Sequence, residues 1–277
     1  MKAWWLDYHP AWNTTEFLDT DSFFALRESF REGNPLTNQW VELEVELRDK
    51  GKPADFLREL GGALVVSKRA RNVMEQLPNL NVEFLPLKSK DGEFSILNVL
   101  TVLDCIDMAQ SNAKSPLHTI YDIKGLALVE DIVQGHDIYK IKLPGGERSL
   151  ASIFVSDRLR EIIESQLEGF QLINMWDSEF TWQQQEAKFA AMCLEVDASL
   201  QTTFNFDKAV KHVKKHRGDI AYSGQWAIKT NEKNSILLGD LLLDGTYSWI
   251  DPIYFPPIIL GLTWGIKEKK KSLFGWR

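Results

Sequence analysis

Two stretches of the sequence follow the same pattern and decide the fold class. Residues 63–77 read Ala-Leu-Val-Val-Ser-Lys-Arg-Ala-Arg-Asn-Val-Met-Glu-Gln-Leu, and residues 152–166 read Ser-Ile-Phe-Val-Ser-Asp-Arg-Leu-Arg-Glu-Ile-Ile-Glu-Ser-Gln. In each, a short apolar strand ends at a serine whose hydroxyl can cap the following helix. At an offset of 89 residues, the identical pairs are Val66 and Val155, Ser67 and Ser156, Arg69 and Arg158, Arg71 and Arg160, and Glu75 and Glu164.

The residues after each serine have the spacing of an amphipathic helix. The apolar positions that fall on one helix face are Ala70, Val73, Met74 and Leu77 in the first stretch, and Leu159, Ile162 and Ile163 in the second. Another apolar run follows each helix, at residues 82–87 and 170–173. The sequence therefore predicts two strand–helix–strand units in a mixed β-sheet.

Further apolar runs extend this α+β pattern along the chain. Residues 94–102 and 140–143 are typical of strands. We expect one α+β domain over residues 1–176 and a helical and strand extension, or small second α+β domain, over 177–277. Helices are predicted over 182–200 and over 206–217, the second one basic and ended by Gly218.

Composition indicates a globular protein of the cytoplasm. The 277 residues are 44% hydrophobic and 26% charged, with fifteen Phe and ten Trp, which excludes a disordered chain. Two cysteines are too few for a disulfide scaffold. Asp7 lies where a signal peptide needs an apolar core, so we expect no export. We expect no membrane span at residues 249–266 and no membrane partner, because Asp251 and three prolines interrupt that apolar run.

Charge is divided unevenly along the sequence. Residues 1–200 carry 32 acidic and 20 basic side chains, and residues 201–277 carry 7 acidic and 12 basic ones. A nucleic-acid binder is expected to be basic over its body, so direct nucleic-acid binding by the acidic part is not expected. An acidic body suits a basic partner, although acidic surfaces also serve solubility.

An acidic alternation at residues 39–47 is a candidate binding strip. The sequence Gln-Trp-Val-Glu-Leu-Glu-Val-Glu-Leu has period two, which predicts a strand with Val41, Leu43, Val45 and Leu47 facing a core. Glu42, Glu44 and Glu46 would line its other face. They are interpreted either as a negatively charged docking strip or as the solvated side of an ordinary strand.

Common catalytic signatures are absent from the sequence. It contains no phosphate-binding loop, dinucleotide-binding glycine motif, nucleophile elbow or zinc-binding His-Glu-x-x-His. His212 and His216 have a metal-chelating spacing but lie among lysines, which favours a solvated basic helix. Asp104 and Asp107 have the spacing of an acid–base or metal pair, but both follow an apolar run, which is also typical of residues at a strand end or at a helix cap. A lysine-rich tail at 267–271 is interpreted as solvated.

Several of these blocks together resemble a known family. Residues 65–70, 82–87, 94–100, 103–107 and 153–157 resemble, in order and spacing, the core of immunity family eleven of bacterial polymorphic toxin systems. The resemblance covers about residues 1–175. It implies a non-enzymatic antitoxin that needs no cofactor or metal and binds the C-terminal domain of a secreted toxin, with a nuclease as the expected partner.

Three hypotheses follow for the function. The first is a cytoplasmic bacterial immunity protein whose candidate toxin-binding residues are Glu42, Glu44, Glu46, Asp104 and Asp107. The second is a hydrolase that reverses toxin damage with Asp104 and Asp107 in a metal-assisted site. The third is a scaffold whose basic C-terminal region binds nucleic acid or an anionic surface.

Overall fold

The computed structural model describes residues 1–48, 51–111, 125–145 and 148–267, which form two units divided at residue 186. The strands of the first unit are β1 (Lys2–Tyr8), β2 (Thr15–Phe17), β3 (Val45–Leu47), β4 (Phe56–Glu59), β5 (Ala63–Ser67), β6 (Val82–Leu87), β7 (Phe94–Val99), β8 (Val102–Leu103), β9 (Ile138–Ile141), β10 (Ile153–Val155) and β11 (Phe170–Asp177). Its helices are α1 (Thr20–Glu32), α2 (Lys68–Glu75), α3 (Glu130–Val133) and α4 (Asp157–Gln166). The boundary falls within α5 (Trp182–Ala198).

The two predicted strand–helix–strand units are confirmed, and the sheets around them match. One sheet has the strand order β4-β5-β7-β6, and the other has the order β11-β1-β10-β9-β8. Four strands of the second, β9-β10-β1-β11, repeat the arrangement of the first, with every neighbouring pair antiparallel. The strand of the second copy that corresponds to β7 is β1, from the beginning of the chain. The α+β class is therefore confirmed.

Each repeated helix begins at the predicted serine cap. Ser67 Oγ accepts a hydrogen bond from the Ala70 amide at 3.1 Å, and Ser156 Oγ accepts one from the Leu159 amide at 3.2 Å. The serine hydroxyl can also donate, and the acceptor it finds in each copy is a carboxylate that the repeated stretches themselves do not contain.

That carboxylate belongs to the residue just before β4 in one copy and just before β9 in the other. Ser67 Oγ donates to Asp55 at 2.6 Å, and Ser156 Oγ donates to Asp137 at 2.7 Å. The serine amides donate to the carbonyl oxygens of the same two aspartates at 2.9 and 3.0 Å.

Arginine completes each cluster. Arg69 lies 2.8 Å from Asp55, and Arg158 forms the matching ion pair with Asp137. Hydrogen bonds from Arg158 and Ser156 hold the pKa of Asp137 below its usual range, against the effect of partial burial. The chain therefore builds one Asp–Ser–Arg cluster at the start of α2 and an equivalent one at the start of α4.

Both repeated helices pack into one apolar core. The buried members of this core come from both sheets and both helices: Trp4, Leu6, Phe56, Leu64, Val66, Ala70, Met74, Leu97, Val99, Ile138, Ile153, Val155, Leu159, Ile163 and Leu167. Residues at equivalent positions of the two copies both belong to this core: Ala70 corresponds to Leu159, and Met74 corresponds to Ile163. The two copies are therefore halves of a single hydrophobic core.

A second core covers the other face of the four-stranded sheet and includes α1. Phe23 and Phe30 of α1 pack there with Leu57, Val65 and other buried side chains. A buried lysine caps the C-terminal end of α1: Lys140 Nζ donates a hydrogen bond to the carbonyl oxygen of Phe30. Burial lowers the pKa of Lys140 to about 7. In its protonated form this donor suits the negative end of the helix dipole.

The second unit is an antiparallel sheet with a packed helix. Its strands are β12 (Leu200–Phe204), β13 (Ala221–Ser223), β14 (Trp226–Thr230), β15 (Ile236–Leu241), β16 (Tyr247–Ile250) and β17 (Trp264–Lys267), in the order β12-β17-β13-β14-β15-β16. Its helices beyond α5 are α6 (Phe206–Lys215) and α7 (Pro257–Leu260). The two predicted helices are thus confirmed, but they end earlier than predicted, at Ala198 and Lys215, and Leu200 begins β12.

The apolar run at 249–266 contributes to β16, α7 and β17 of this unit. Within the described residues, no helix is both long and apolar enough to cross a membrane. The division into a domain at 1–176 and a region at 177–277 stays a prediction.

The Asp–Ser–Arg clusters give a first prediction. Replacing Asp55 or Asp137 with alanine should lower the free energy of unfolding by about 1–3 kcal/mol, because each change removes a carboxylate that accepts several hydrogen bonds. Asp55→Ala should cost more, since Asp55 is more buried and also accepts from the Glu168 amide at 2.9 Å. Urea denaturation measures both.

The matched control is Glu75→Ala, which removes only an exposed helix ion pair with Arg71 and should change stability by less than about 0.5 kcal/mol. Equal stability of Asp55→Ala, Asp137→Ala and the unmodified chain would contradict the role given to the clusters.

Candidate functional site

The acidic strip predicted at residues 39–47 is only partly a strand. Val45–Leu47 form β3, whereas Thr37–Gln39 form a 3₁₀ turn and Val41 is 75% exposed instead of facing a core. The prediction of one strand over the whole stretch is wrong. The physical reason is the lack of a strand partner for its first half, where the Trp40 indole donates to the Pro86 carbonyl at 2.8 Å.

The three glutamates of this strip therefore have different surroundings. Glu42 and Glu44 are exposed, and Glu44 forms an isolated parallel bridge with Lys88. Glu46 is half-buried and lies opposite Glu16 in the β2–β3 pair, an unfavourable arrangement of like charges. Lys90 at 3.9 Å from Glu46 and Arg48 at 3.8 Å from Glu16 compensate for it.

A cleft of about 530 Å³ beside this strip carries more positive than negative charge. Glu44 and Glu93 line it together with four cationic residues, which are Lys68, Arg71, Lys88 and Lys90. Lys68 pairs with Glu93 at 2.7 Å. The surroundings of Glu44 and Glu46 are thus of mixed charge, and less negative than the sequence alone suggested.

Asp104 and Asp107 follow β8, at the edge of the five-stranded sheet. Asp107 is half-buried, and its carboxylate accepts hydrogen bonds from the amides of Ala109 and Gln110 at 2.9 and 3.0 Å. This contact corresponds to the strand-end or helix-cap role that the sequence analysis considered for Asp107. Asp104 is exposed. These two aspartates follow a strand of the five-stranded sheet, whereas the three glutamates lie in and just before β3 of the two-stranded sheet.

Two further acidic residues join Asp104 and Asp107 through backbone pairing. The Asp107 amide donates to the Ala127 carbonyl at 2.9 Å, and the Val129 amide donates to the Cys105 carbonyl at 2.8 Å. This antiparallel register brings the start of α3 next to Asp104. Glu130 and Asp131, both exposed, form the first turn of that helix.

Exposed apolar side chains accompany these carboxylates. Met108 is 44% exposed and Ile132 is 39% exposed. We define the acidic patch as Asp104, Asp107, Met108, Glu130, Asp131 and Ile132. None of its four carboxylates takes part in a salt bridge with another described residue. Among the described residues, the patch therefore combines two exposed apolar side chains with four carboxylates that form no ion pair.

Sequence reasoning missed Glu130, Asp131 and the two apolar members of the patch. The stretch Val-Glu-Asp-Ile-Val carries a helix-start signal, because acidic residues favour the first turn of a helix. Its position beside Asp104 depends on pairing between residues 105–107 and 127–129, which are far apart in sequence. No local pattern reveals that pairing.

The histidine pair of the second unit is engaged with neighbouring side chains. His212 Nε2 lies 3.0 Å from Asp219 Oδ2, and the His212 and His216 ring centroids are 4.6 Å apart. In the described part of the chain, no group of three or more His, Cys, Asp or Glu side chains is arranged to hold a metal ion. The predicted lysine-rich tail beyond Lys267 lies outside the described residues.

Two partly buried acidic residues of the first unit, Asp7 and Glu59, have raised pKa values. Burial raises the pKa of Asp7 to about 7, a backbone hydrogen bond from Tyr8 opposes the rise, and the nearby charge of Glu59 adds to it. Burial also raises the pKa of Glu59, although the amides of Gly62 and Gly61 and the charges of Arg27 and Arg31 act in the opposite direction. Asp7 therefore holds a proton in the folded state at mildly acidic pH.

Comparison with models of known protein families assigns the chain to one of them. The model of the Imm11 immunity protein family matches residues 12–180. The chain belongs to the Imm11 family. The match confirms the family predicted from the sequence blocks, and it covers both strand–helix–strand units and the acidic patch of this Imm11 protein. No curated protein matches the chain.

The partly buried carboxyl of Asp7 gives a second prediction. Its folded pKa lies above the unfolded value, so its contribution to stability is greatest below about pH 4 and is lost as the pH rises to about 7. Asp7→Asn keeps an oxygen that accepts from the Tyr8 amide. This variant should be about 1–2 kcal/mol more stable than the unmodified protein at pH 8, with little difference near pH 4.5.

Urea denaturation at the two pH values measures the effect. Glu75→Gln, at an exposed carboxylate, is the matched control and should show the same difference from the unmodified protein at both. A constant difference for Asp7→Asn would contradict the raised pKa.

Proposed function

We propose that this Imm11 protein is an antitoxin that binds and neutralises a cognate secreted bacterial toxin in the cytoplasm. The observation that carries the proposal is the family match over residues 12–180. Inhibition is by stoichiometric protein–protein association, without a cofactor and without enzymatic turnover. The toxin is of the nuclease type, and its C-terminal domain is the part that is bound.

Charge supports a nuclease as the partner. The first unit, residues 1–186, carries 30 acidic and 19 basic side chains. A nuclease needs a positive surface to hold a phosphate backbone, and an acidic protein complements that surface. Long-range attraction also accelerates association, and rapid capture limits the damage that a toxin can do before it is bound.

The acidic patch is the surface on which we place the toxin. Protein interfaces combine apolar contacts that become buried with polar groups around them, and the patch offers Met108 and Ile132 among four carboxylates. Glu42 and Glu44 are a weaker candidate, because Lys88 and Lys90 lie close to that strip.

The geometry gives less support to a hydrolase. The Asp107 carboxylate is occupied by the amides of Ala109 and Gln110, so using it as a metal ligand or base would disturb that turn. A binding role for the patch requires no such rearrangement.

A third prediction concerns stoichiometry. Co-expression with the C-terminal domain of the large secreted protein encoded beside it should restore growth and yield a stable complex of fixed ratio. Inhibition of the purified toxin should saturate at that ratio and weaken at high salt, because charge contributes to association. Protection by catalytic amounts of the chain, or rescue without any complex, would contradict the proposal.

A fourth prediction locates the surface. The triple variant Asp104→Lys, Glu130→Lys, Asp131→Lys should weaken toxin binding by at least about 100-fold, mostly through slower association if the partner is basic. Its residues are exposed, so thermal unfolding should change little. Surface plasmon resonance at two salt concentrations measures both rates.

The matched control is Glu42→Lys with Glu44→Lys, which also reverses exposed carboxylates of the first unit. It should leave affinity within about threefold. The opposite outcome, with loss in the control and not in the triple variant, would move the binding surface to the strip at residues 42–46.

A further inference from the structure

The second unit exposes a group of large apolar side chains within a short stretch. Ile253 is fully exposed at 102% of its reference area, and Tyr254 and Ile258 are exposed at 71% and 72%. Ile250 and Leu260 are about half exposed, at 54% and 47%. We call Ile250–Leu260 the apolar loop. Exposed apolar groups of this density mark interaction surfaces in folded proteins.

The loop is anchored so that these side chains must face outward. The Phe255 ring packs 4.9 Å from the Phe206 ring, and Ile259 is only 2% exposed in the same core. The Trp264 indole donates to the Ile259 carbonyl at 3.3 Å. Proline at 252, 256 and 257 restricts the backbone between these anchors. The outward side chains are therefore held in place by the fold of the second unit.

A basic helix adjoins the apolar loop. α6 buries Phe206, Ala209 and Val213 and contacts α7, which is part of the loop. The cationic side chains that α6 leaves exposed are Lys208, Lys211, Lys214 and Lys215. Apolar and cationic side chains thus come together on one unit, the combination that binds proteins to the surface of an anionic membrane.

Charge decides among the occupants of this surface. Residues 187–277 carry 13 basic and 9 acidic side chains, but the described residues 187–267 carry 9 and 8, so the positive charge beside the apolar loop is that of the four α6 lysines. A basic toxin would be repelled by it, and so would the same surface of a second copy. An anionic lipid surface attracts the lysines and accepts the apolar side chains at its headgroup boundary.

We propose that the second unit docks peripherally on an anionic lipid membrane, with Ile253, Tyr254 and Ile258 at the headgroup boundary and the α6 lysines against the charged headgroups. This goes beyond toxin neutralisation and departs from the sequence-based expectation that the protein has no membrane partner. Membrane docking would hold the antitoxin at a bilayer while the first unit supplies the acidic patch.

Vesicle flotation with the full chain tests the proposal. Vesicles with about one-third phosphatidylglycerol should carry at least about tenfold more protein than pure phosphatidylcholine vesicles, and about 0.5 M NaCl should remove most of it. The double variant Ile253→Asp, Ile258→Asp and the double variant Lys208→Glu, Lys211→Glu should each lower binding by at least about tenfold.

The matched control is Val41→Asp, which changes an equally exposed apolar residue of the first unit and should leave flotation unchanged. All variants should keep the thermal unfolding temperature and toxin affinity of the unmodified chain, which separates this proposal from the proposed function. Equal flotation with neutral vesicles, no flotation, or full flotation of Ile253→Asp, Ile258→Asp would overturn the proposal. So would a dimer in sedimentation that this double variant dissociates.

Discussion

The first unit depends on the burial of α2 and α4 in one shared apolar core. Neither strand–helix–strand unit has a complete core of its own, because Met74 of one helix and Ile163 of the other belong to the same cluster. Burying a side chain of this size stabilises the fold by about 1.5–3 kcal/mol. The helices must therefore be placed accurately relative to both sheets, and this requirement explains why their first turns are so strongly fixed.

The Asp–Ser–Arg clusters provide that fixation. A serine cap alone satisfies one amide at the start of a helix. Here the serine amide and hydroxyl also bond to the aspartate before the neighbouring strand, so the start of the helix, the strand before it and an arginine on its first turn are joined. The clusters occur in both copies because both helices must be held in the same position relative to the shared core.

Local patterns in the sequence were sufficient for part of this architecture. The serine caps and the apolar helix faces at residues 68–75 and 157–166 follow from spacing within a few residues, and they were predicted correctly. Asp55 and Asp137 were not recognised, since their distance from the serine differs between the copies. The position of β1 was also unpredictable, because Trp4 pairs with Val155 across most of the first unit. At residues 39–47 the alternation of apolar and acidic residues predicted too long a strand. A strand also needs a neighbouring strand to pair with, and the alternation does not show whether one exists.

The same distinction applies to the acidic residues. An excess of carboxylates suggests a basic partner, yet the fold uses many of them internally. Asp55 and Asp137 hold helix starts, and Glu83 receives hydrogen bonds from Leu36, Thr37 and Asn98 that lower its pKa despite burial. Such groups cannot leave their internal partners without cost to stability. The carboxylates of Asp104, Glu130 and Asp131 have no such internal partner among the described residues. We therefore place the toxin at the acidic patch because these carboxylates are free to pair with a partner, and not because the protein as a whole is acidic.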